Sequence, residues 1–182
     1  MSKLKIFGLV FALLAAFSVY GAELAPDWEL KTADGRTIRL SAEVREQPVI
    51  ILFWASWCPY CKALMPHLQS IRLEHGDAVK VLAISFREKG DPIGYVENSH
   101  YDFTVLPDGD DVAKQYEVWG TPGVIIVDGE RQIAFDLRDL APYQRPENGE
   151  KPNHTKSAAY RAPYWAAAIR KSLDDVLQDT SE

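Results

Sequence analysis

Cys58 and Cys61 are the only cysteines in 182 residues, and they stand one helical turn apart in Trp57-Cys58-Pro59-Tyr60-Cys61-Lys62. The run before them, Ile50-Ile51-Leu52-Phe53-Trp54-Ala55-Ser56-Trp57, is too short and too apolar for an amphipathic helix. It reads as a strand buried on both faces. Pro59 suits the first position of a helix, where its missing N–H costs nothing, so Cys58 falls at the N-cap and Cys61 one turn in. The partial positive charge and free N–H groups of a helix start favour thiolate over thiol. Cys58 is therefore the candidate nucleophile, its pKa held below the ordinary value of about 8.5. Lys62, four residues on, is the candidate for additional pKa tuning. Cys61 points inward and is the candidate resolving thiol, the one that breaks a mixed disulfide.

Other uses of the pair fit less well. A structural zinc site needs four ligands, so no metal is expected. Haem attachment requires His directly after the second cysteine, and Lys62 stands there. An inert structural disulfide is the remaining alternative, and a strand-to-helix junction is a poor place to hide one.

The segment Phe53-Trp54-Ala55-Ser56-Trp57-Cys58-Pro59-Tyr60-Cys61-Lys62 resembles the active site of the thioredoxin superfamily. The layout around it is similar to the exported TlpA/ResA-type thiol–disulfide oxidoreductases, over roughly residues 26 to 138 and a C-terminal helix. The resemblance implies an α/β, thioredoxin-like fold: a central mixed sheet flanked by helices, with an N-terminal β-hairpin extension. It places a cis-proline at Thr121-Pro122 in Gly120-Thr121-Pro122-Gly123, with Trp57, Pro59, Tyr60, Thr121 and Pro122 framing a substrate groove. It also implies protein substrates carrying disulfides or thiols, a membrane electron donor, and no cofactor beyond the Cys58–Cys61 disulfide. Two departures stand out. Leu52 occupies the place of thioredoxin's buried Asp, and Leu64 that of a Glu frequent in TlpA/ResA-type proteins, so a water or a carboxylate from elsewhere would take the Cys61 proton.

The rest of the chain must position these groups. One domain, residues 22–182, follows a signal peptide over 1–21: Lys3 and Lys5, an apolar stretch from Ile6 to Phe17, then Val19-Tyr20-Gly21. That stretch is shorter than the ~20 residues of a spanning helix, which favours cleavage over an N-terminal membrane anchor. Cleavage takes the net charge from −6 to −8, an acidic balance that gives no support for nucleic-acid binding. Trp28–Lys31 and Thr37–Leu40 flank the turn Asp34-Gly35 as a hairpin, and Ser41 is placed as the cap of a short helix to Glu46. A helix to about Glu74 carries a kink at Pro66 and packs through Leu64, Leu68, Ile71 and Leu73, with His67 and His75 towards solvent. Val79–Phe86 is a second buried strand, and Asp91-Pro92 opens the next helix. Phe103–Leu106, a helix over 110–118, and Val124–Val127 turning at Asp128-Gly129 into Gln132–Leu137 complete the sheet. Residues 139–157 read as a polar loop insertion, in which His154 is given no role. A core helix spans Pro163 to about Gln178.

The function expected is an exported, periplasmic thiol–disulfide oxidoreductase that reduces specific protein disulfides through Cys-Pro-Tyr-Cys. A disulfide oxidase or isomerase is the alternative within the class. A Cu(I)-binding module using the two thiolates with Met65 or His67 is the alternative outside it.

Overall fold

Strand β3 (Val49–Trp54) is buried along its whole length, which requires cover on both faces. Ile50, Leu52 and Trp54 face one apolar layer with Leu64, Leu68, Ile71, Ile169 and Leu173. Val49, Ile51 and Phe53 face a second with Leu40, Val44, Val112 and Tyr116. The computed structural model describes residues 23–144 and 152–179. The expected signal peptide over 1–21 and residues 145–151 of the expected loop insertion lie outside the described residues.

A five-stranded mixed sheet is built around β3. It takes in β4 (Lys80–Ser85), β5 (Thr104–Leu106), β6 (Gly123–Val127) and β7 (Ile133–Asp136) in the order β5-β4-β3-β6-β7. β3, β4 and β5 run parallel, and β6 and β7 pair antiparallel. Opposite Trp54 stands Ser85, and opposite Phe53 stands Gly123. The ends of β3 and β4 and the start of β6 therefore meet at one edge of the sheet. A separate hairpin of β1 (Glu29–Lys31) and β2 (Thr37–Arg39) turns at Gly35, whose φ of 85° suits glycine. Trp28 Nε1 donates to Tyr116 Oη at 3.3 Å and so anchors the hairpin to the second layer.

The helices follow the sequence with instructive differences. In α1 (Leu40–Glu46) Ser41 is inside the helix, and its N–H donates 2.9 Å to the Asp27 carboxylate. The expected cap is thus replaced by a distant acid. α2 (Pro59–His75) buries Leu64, Leu68 and Ile71 but leaves Leu73 68 % exposed. Two residues past Ile71 is about 200° of helical rotation, the solvent side. α3 (Pro92–Asn98) is capped by Asp91, which accepts from Gly94 N at 2.9 Å. α4 (Asp110–Gln115) ends three residues before the expected Val118.

The largest difference is α5 (His154–Asp179). It starts nine residues before Pro163, inside the expected loop. Asn153 supplies the start signal, its side-chain oxygen accepting from Lys156 N at 2.9 Å. Ala158, Ala162 and Ala166 are buried at four-residue spacing, and these small side chains let the helix lie close. α5 runs alongside α2 in the same direction. The far end of this seam is held by Arg170 on Glu74 at 2.8 and 3.0 Å and by His75 on Asp174 at 3.4 Å. His75 thus lies against the Asp174 carboxylate where a free solvent position was expected. Among the described residues no helix is long and apolar enough to cross a membrane.

The seam makes a contrast in stability. Ala162→Leu overfills it and is expected to cost about 1–3 kcal/mol in urea unfolding, whereas Leu73→Ser on the exposed face should stay within about 0.5 kcal/mol.

Candidate active site

The chain leaves β3 at Trp54 and turns sharply, Cys58 N donating to Ala55 O at 3.0 Å. Cys58 has extended backbone angles (φ −82°, ψ 114°) and is the N-cap of α2, with Pro59 at the first helical position. Its carbonyl accepts from Lys62 N at 3.1 Å, the first bond of the helix. Its sulfur takes the role of a capping oxygen and accepts from Cys61 N at 3.2 Å. Both cysteines are free thiols and both are buried.

The two sulfurs are driven in opposite directions. The Cys61 thiol donates to the Cys58 sulfur, which is the main reason that Cys58 is lowered to about 6. Burial opposes this, and hydrogen bonds from the Thr121 side chain and the backbone of Cys61 and Tyr60 reinforce it. Cys61 is pushed far up, by burial first and then by the bond to Cys58 and the charge there. The groups that lower Cys61 are the Ala55 backbone and the Thr121 side chain, and no carboxylate is among them. One sulfur is thus an anion near neutral pH while its neighbour keeps its proton.

Thr121 comes from the turn before β6, and the Thr121–Pro122 peptide is cis. Its side chain acts on both sulfurs, a role beyond the groove wall expected from sequence. Lys62 is elsewhere: its Nζ lies 5.0 Å from the centroid of the Tyr95 ring, and it is not among the groups that act on Cys58. The helix-start N–H groups, Thr121 and Cys61 itself supply what Lys62 was expected to add. Trp57 is 50 % exposed at the rim, and Pro59 and Tyr60 are half-buried. Met65 is fully buried in the core, and among the described residues no group of three or more His, Cys, Asp and Glu side chains is placed to hold a metal ion.

A pair of residues that sequence reading passed over ties the site together. The Glu88 carboxylate, in the loop after β4, accepts from Ser56 N and Ser56 Oγ at 2.7 Å each, and from Lys89 N at 2.7 Å and Gly90 N at 2.8 Å. A Cβ on Gly90 would stand 2.5 Å from Ser56 Oγ, so a side chain there would push the hydroxyl off the Glu88 carboxylate. Beside it, the Arg87 carbonyl accepts from Trp57 Nε1 at 2.9 Å and the Arg87 guanidinium donates to Trp119 O at 2.9 Å. Residues 87 and 88 therefore hold the turn before Cys58 against the turn before Thr121. The partners are 32 residues away in either direction, and no local pattern marks them.

Residues 22–135 match the AhpC/TSA family. The chain belongs to the AhpC/TSA family. Within it the chain is similar to the thioredoxin-like protein YneN of Bacillus subtilis, 32 % identical over 117 residues, 62 % of this chain and 68 % of that one. It is also similar to the thiol-disulfide oxidoreductase ResA of Oceanobacillus iheyensis, 37 % identical over 68 residues. That match spans 35 % of each chain, about a third of the ResA length. Among solved structures, a thioredoxin-family thiol:disulfide interchange protein from Chlorobium tepidum TLS superposes with a TM-score of 0.62 at 15 % identity, covering 86 % of this chain and 97 % of that one. That likeness carries the fold. This AhpC/TSA member is thus an enzyme of the thioredoxin-like thiol–disulfide oxidoreductase class.

Burial alone would raise the Glu88 carboxyl, but the hydrogen bonds from Ser56, Lys89 and Gly90 outweigh it and hold its pKa below the ordinary range. The folded state therefore gains from this carboxylate above the unfolded value of about 4.3 and loses that gain as pH falls through the lower folded value. Glu88→Gln should destabilise by about 1–2 kcal/mol at neutral pH. In urea unfolding repeated at acid pH, the gap between wild type and variant is expected to close.

Proposed function

We propose that this protein is an exported oxidoreductase that reduces disulfides in particular protein substrates, with Cys58 as nucleophile and Cys61 as resolving thiol. The observation that carries this reading is the split between the sulfurs: Cys58 at about 6 and Cys61 driven upward by burial. The Cys58 thiolate attacks one sulfur of a substrate disulfide, forms a mixed disulfide and expels the other substrate sulfur as a thiolate. Cys61 then loses its proton and attacks the Cys58 sulfur, releasing the second substrate thiol and leaving a Cys58–Cys61 disulfide. Once Cys58 is tied up in the mixed disulfide its negative charge is gone, so one of the causes that keep Cys61 protonated is removed at the step that needs it.

Direction follows from the same quantity. Oxidants of this chemistry stabilise their reduced form through a very acidic thiol, about 3.5 in DsbA against about 7 in thioredoxin. A Cys58 at about 6 lies on the thioredoxin side, which favours reduction over oxidation or isomerisation. Two electrons must then return to the Cys58–Cys61 disulfide, and a membrane-bound dithiol donor is the partner that suits an exported reductase. The apolar N-terminal stretch, as a cleaved leader, supports export, and the dithiol needs no other cofactor. In this reading Trp57, Pro59, Tyr60, Thr121 and Pro122 frame the substrate groove, and an extended substrate segment pairs with the Thr121 backbone.

Cys61→Ala blocks the second step only. Expressed with its leader in a bacterial host, this variant is expected to accumulate mixed disulfides through Cys58, visible as bands that vanish on reduction. A Cys58→Ser, Cys61→Ala double variant should accumulate none. Absence of trapped protein from the single variant would remove the protein-substrate reading.

A further inference from the structure

Tyr60, between the two cysteines, meets three side chains of α5. Its hydroxyl stands 3.2 Å from His154 Nδ1, with the rings edge-on at 6.0 Å. The Arg161 guanidinium lies over its ring at 5.7 Å, and the Trp165 ring is 6.2 Å away. His154, Arg161 and Trp165 span three turns of one helix face. None of them packs Tyr60 away from solvent completely, for Tyr60 stays half-buried and His154 and Arg161 are exposed. What they do is fix its orientation: a hydrogen bond at the ring tip, a cation over one face and an aromatic edge beside it.

That orientation reaches the chemistry. The peptide that joins Tyr60 to Cys61 carries the N–H that donates to the Cys58 sulfur at 3.2 Å, and the Tyr60 backbone also favours the Cys58 thiolate. Tyr60 is also in the first turn of α2, where an N–H has no partner inside the helix. A side chain held rigidly at its tip limits the swing of its own peptide, and a reactive group is tuned best when the groups aimed at it are themselves held.

We propose that the N-terminal half of α5 positions the dithiol through Tyr60, with His154, Arg161 and Trp165 as positioning residues that hold the Tyr60–Cys61 peptide, whose N–H donates to the Cys58 sulfur at 3.2 Å. This deepens the reading of Cys58 as the nucleophile and rests on it. The structural basis is the early start of α5: a helix beginning at Pro163 would retain Trp165 and lack both His154 and Arg161. The Ala158, Ala162 and Ala166 face brings the added turns against α2, and Asn153 caps them.

The test is titration of the Cys58 thiolate by its ultraviolet absorbance in the full-length protein, beside urea unfolding of the same samples. His154→Leu is expected to raise the Cys58 midpoint by about half a unit, about threefold less thiolate below the midpoint. His154→Gln, which can still hydrogen-bond the Tyr60 hydroxyl, should restore it. Tyr60→Phe should shift the midpoint as His154→Leu does, and adding His154→Leu to Tyr60→Phe should shift it no further. An unchanged midpoint in His154→Leu with only a change in unfolding, or additive shifts in the double variant, overturns the proposal and leaves α5 a packing element. A wild-type Cys58 that titrates in the ordinary thiol range overturns both this proposal and the reading beneath it.

Discussion

The structure turns on one hydrogen bond between two sulfurs. Cys61 can donate to Cys58 only while it keeps its proton, and the bond is strongest when Cys58 has lost its own, so each thiol favours the state of the other. Such a pair is stable only if the environments already differ. The difference is made by where α2 begins. Pro59 starts the helix, which puts Cys58 at the mouth where N–H groups are free and Cys61 one turn deeper, among Leu64, Trp54 and the rest of the core. Burial, a destabilising cost for an anion, is the largest influence on the sulfur that stays neutral, while at Cys58 the hydrogen bonds outweigh it.

Sheet topology explains why help for Cys58 can come from three distant stretches. β3 and β4 are parallel and β6 runs against them, so the exits of two strands and the entrance of a third share one edge. Parallel strands put their following loops at their carboxyl ends, where open α/β sheets place their sites. The turn at Ser56, the loop at Arg87 and Glu88, and the turn at Thr121 are brought together in this way, and the Glu88 carboxylate with the Arg87 backbone and guanidinium locks them. α5 then closes the remaining side against Tyr60. The Cys58 sulfur is surrounded by groups held from several elements, so little of its environment depends on any single loop.

How much of this was legible in the sequence follows the range of the interactions. The apolar run into Cys-Pro-Tyr-Cys, the Asp91-Pro92 helix start and the Asp34-Gly35 turn are local patterns, and each element is found where its pattern stands. The parallel order could be read because strands and helices alternate. Leu73 misled because an apolar residue near a periodic face looks like part of it until the turn is counted. The apolar spacing of α5 is legible only from Pro163 on, and the Asn153 cap ahead of it sits in a segment whose prolines and asparagines read as loop. Lys62 was assigned by spacing alone, and its ammonium instead lies over the Tyr95 ring. Glu88, Arg87 and His154 could not have been singled out: their partners lie 32, 30 and 94 residues away, and one exposed charge looks like another until the fold brings a partner to it. The same reasoning applies to Thr121, whose turn was recognisable by resemblance but whose influence on both sulfurs was not.

The most direct test of the account is the rate of iodoacetamide modification of each cysteine in the reduced protein across a pH series, with the modified site identified by mass spectrometry. Modification confined to Cys58, rising with a midpoint near pH 6, is the predicted result. Equal modification of Cys58 and Cys61, with a common midpoint near the ordinary thiol value of about 8.5, would contradict it.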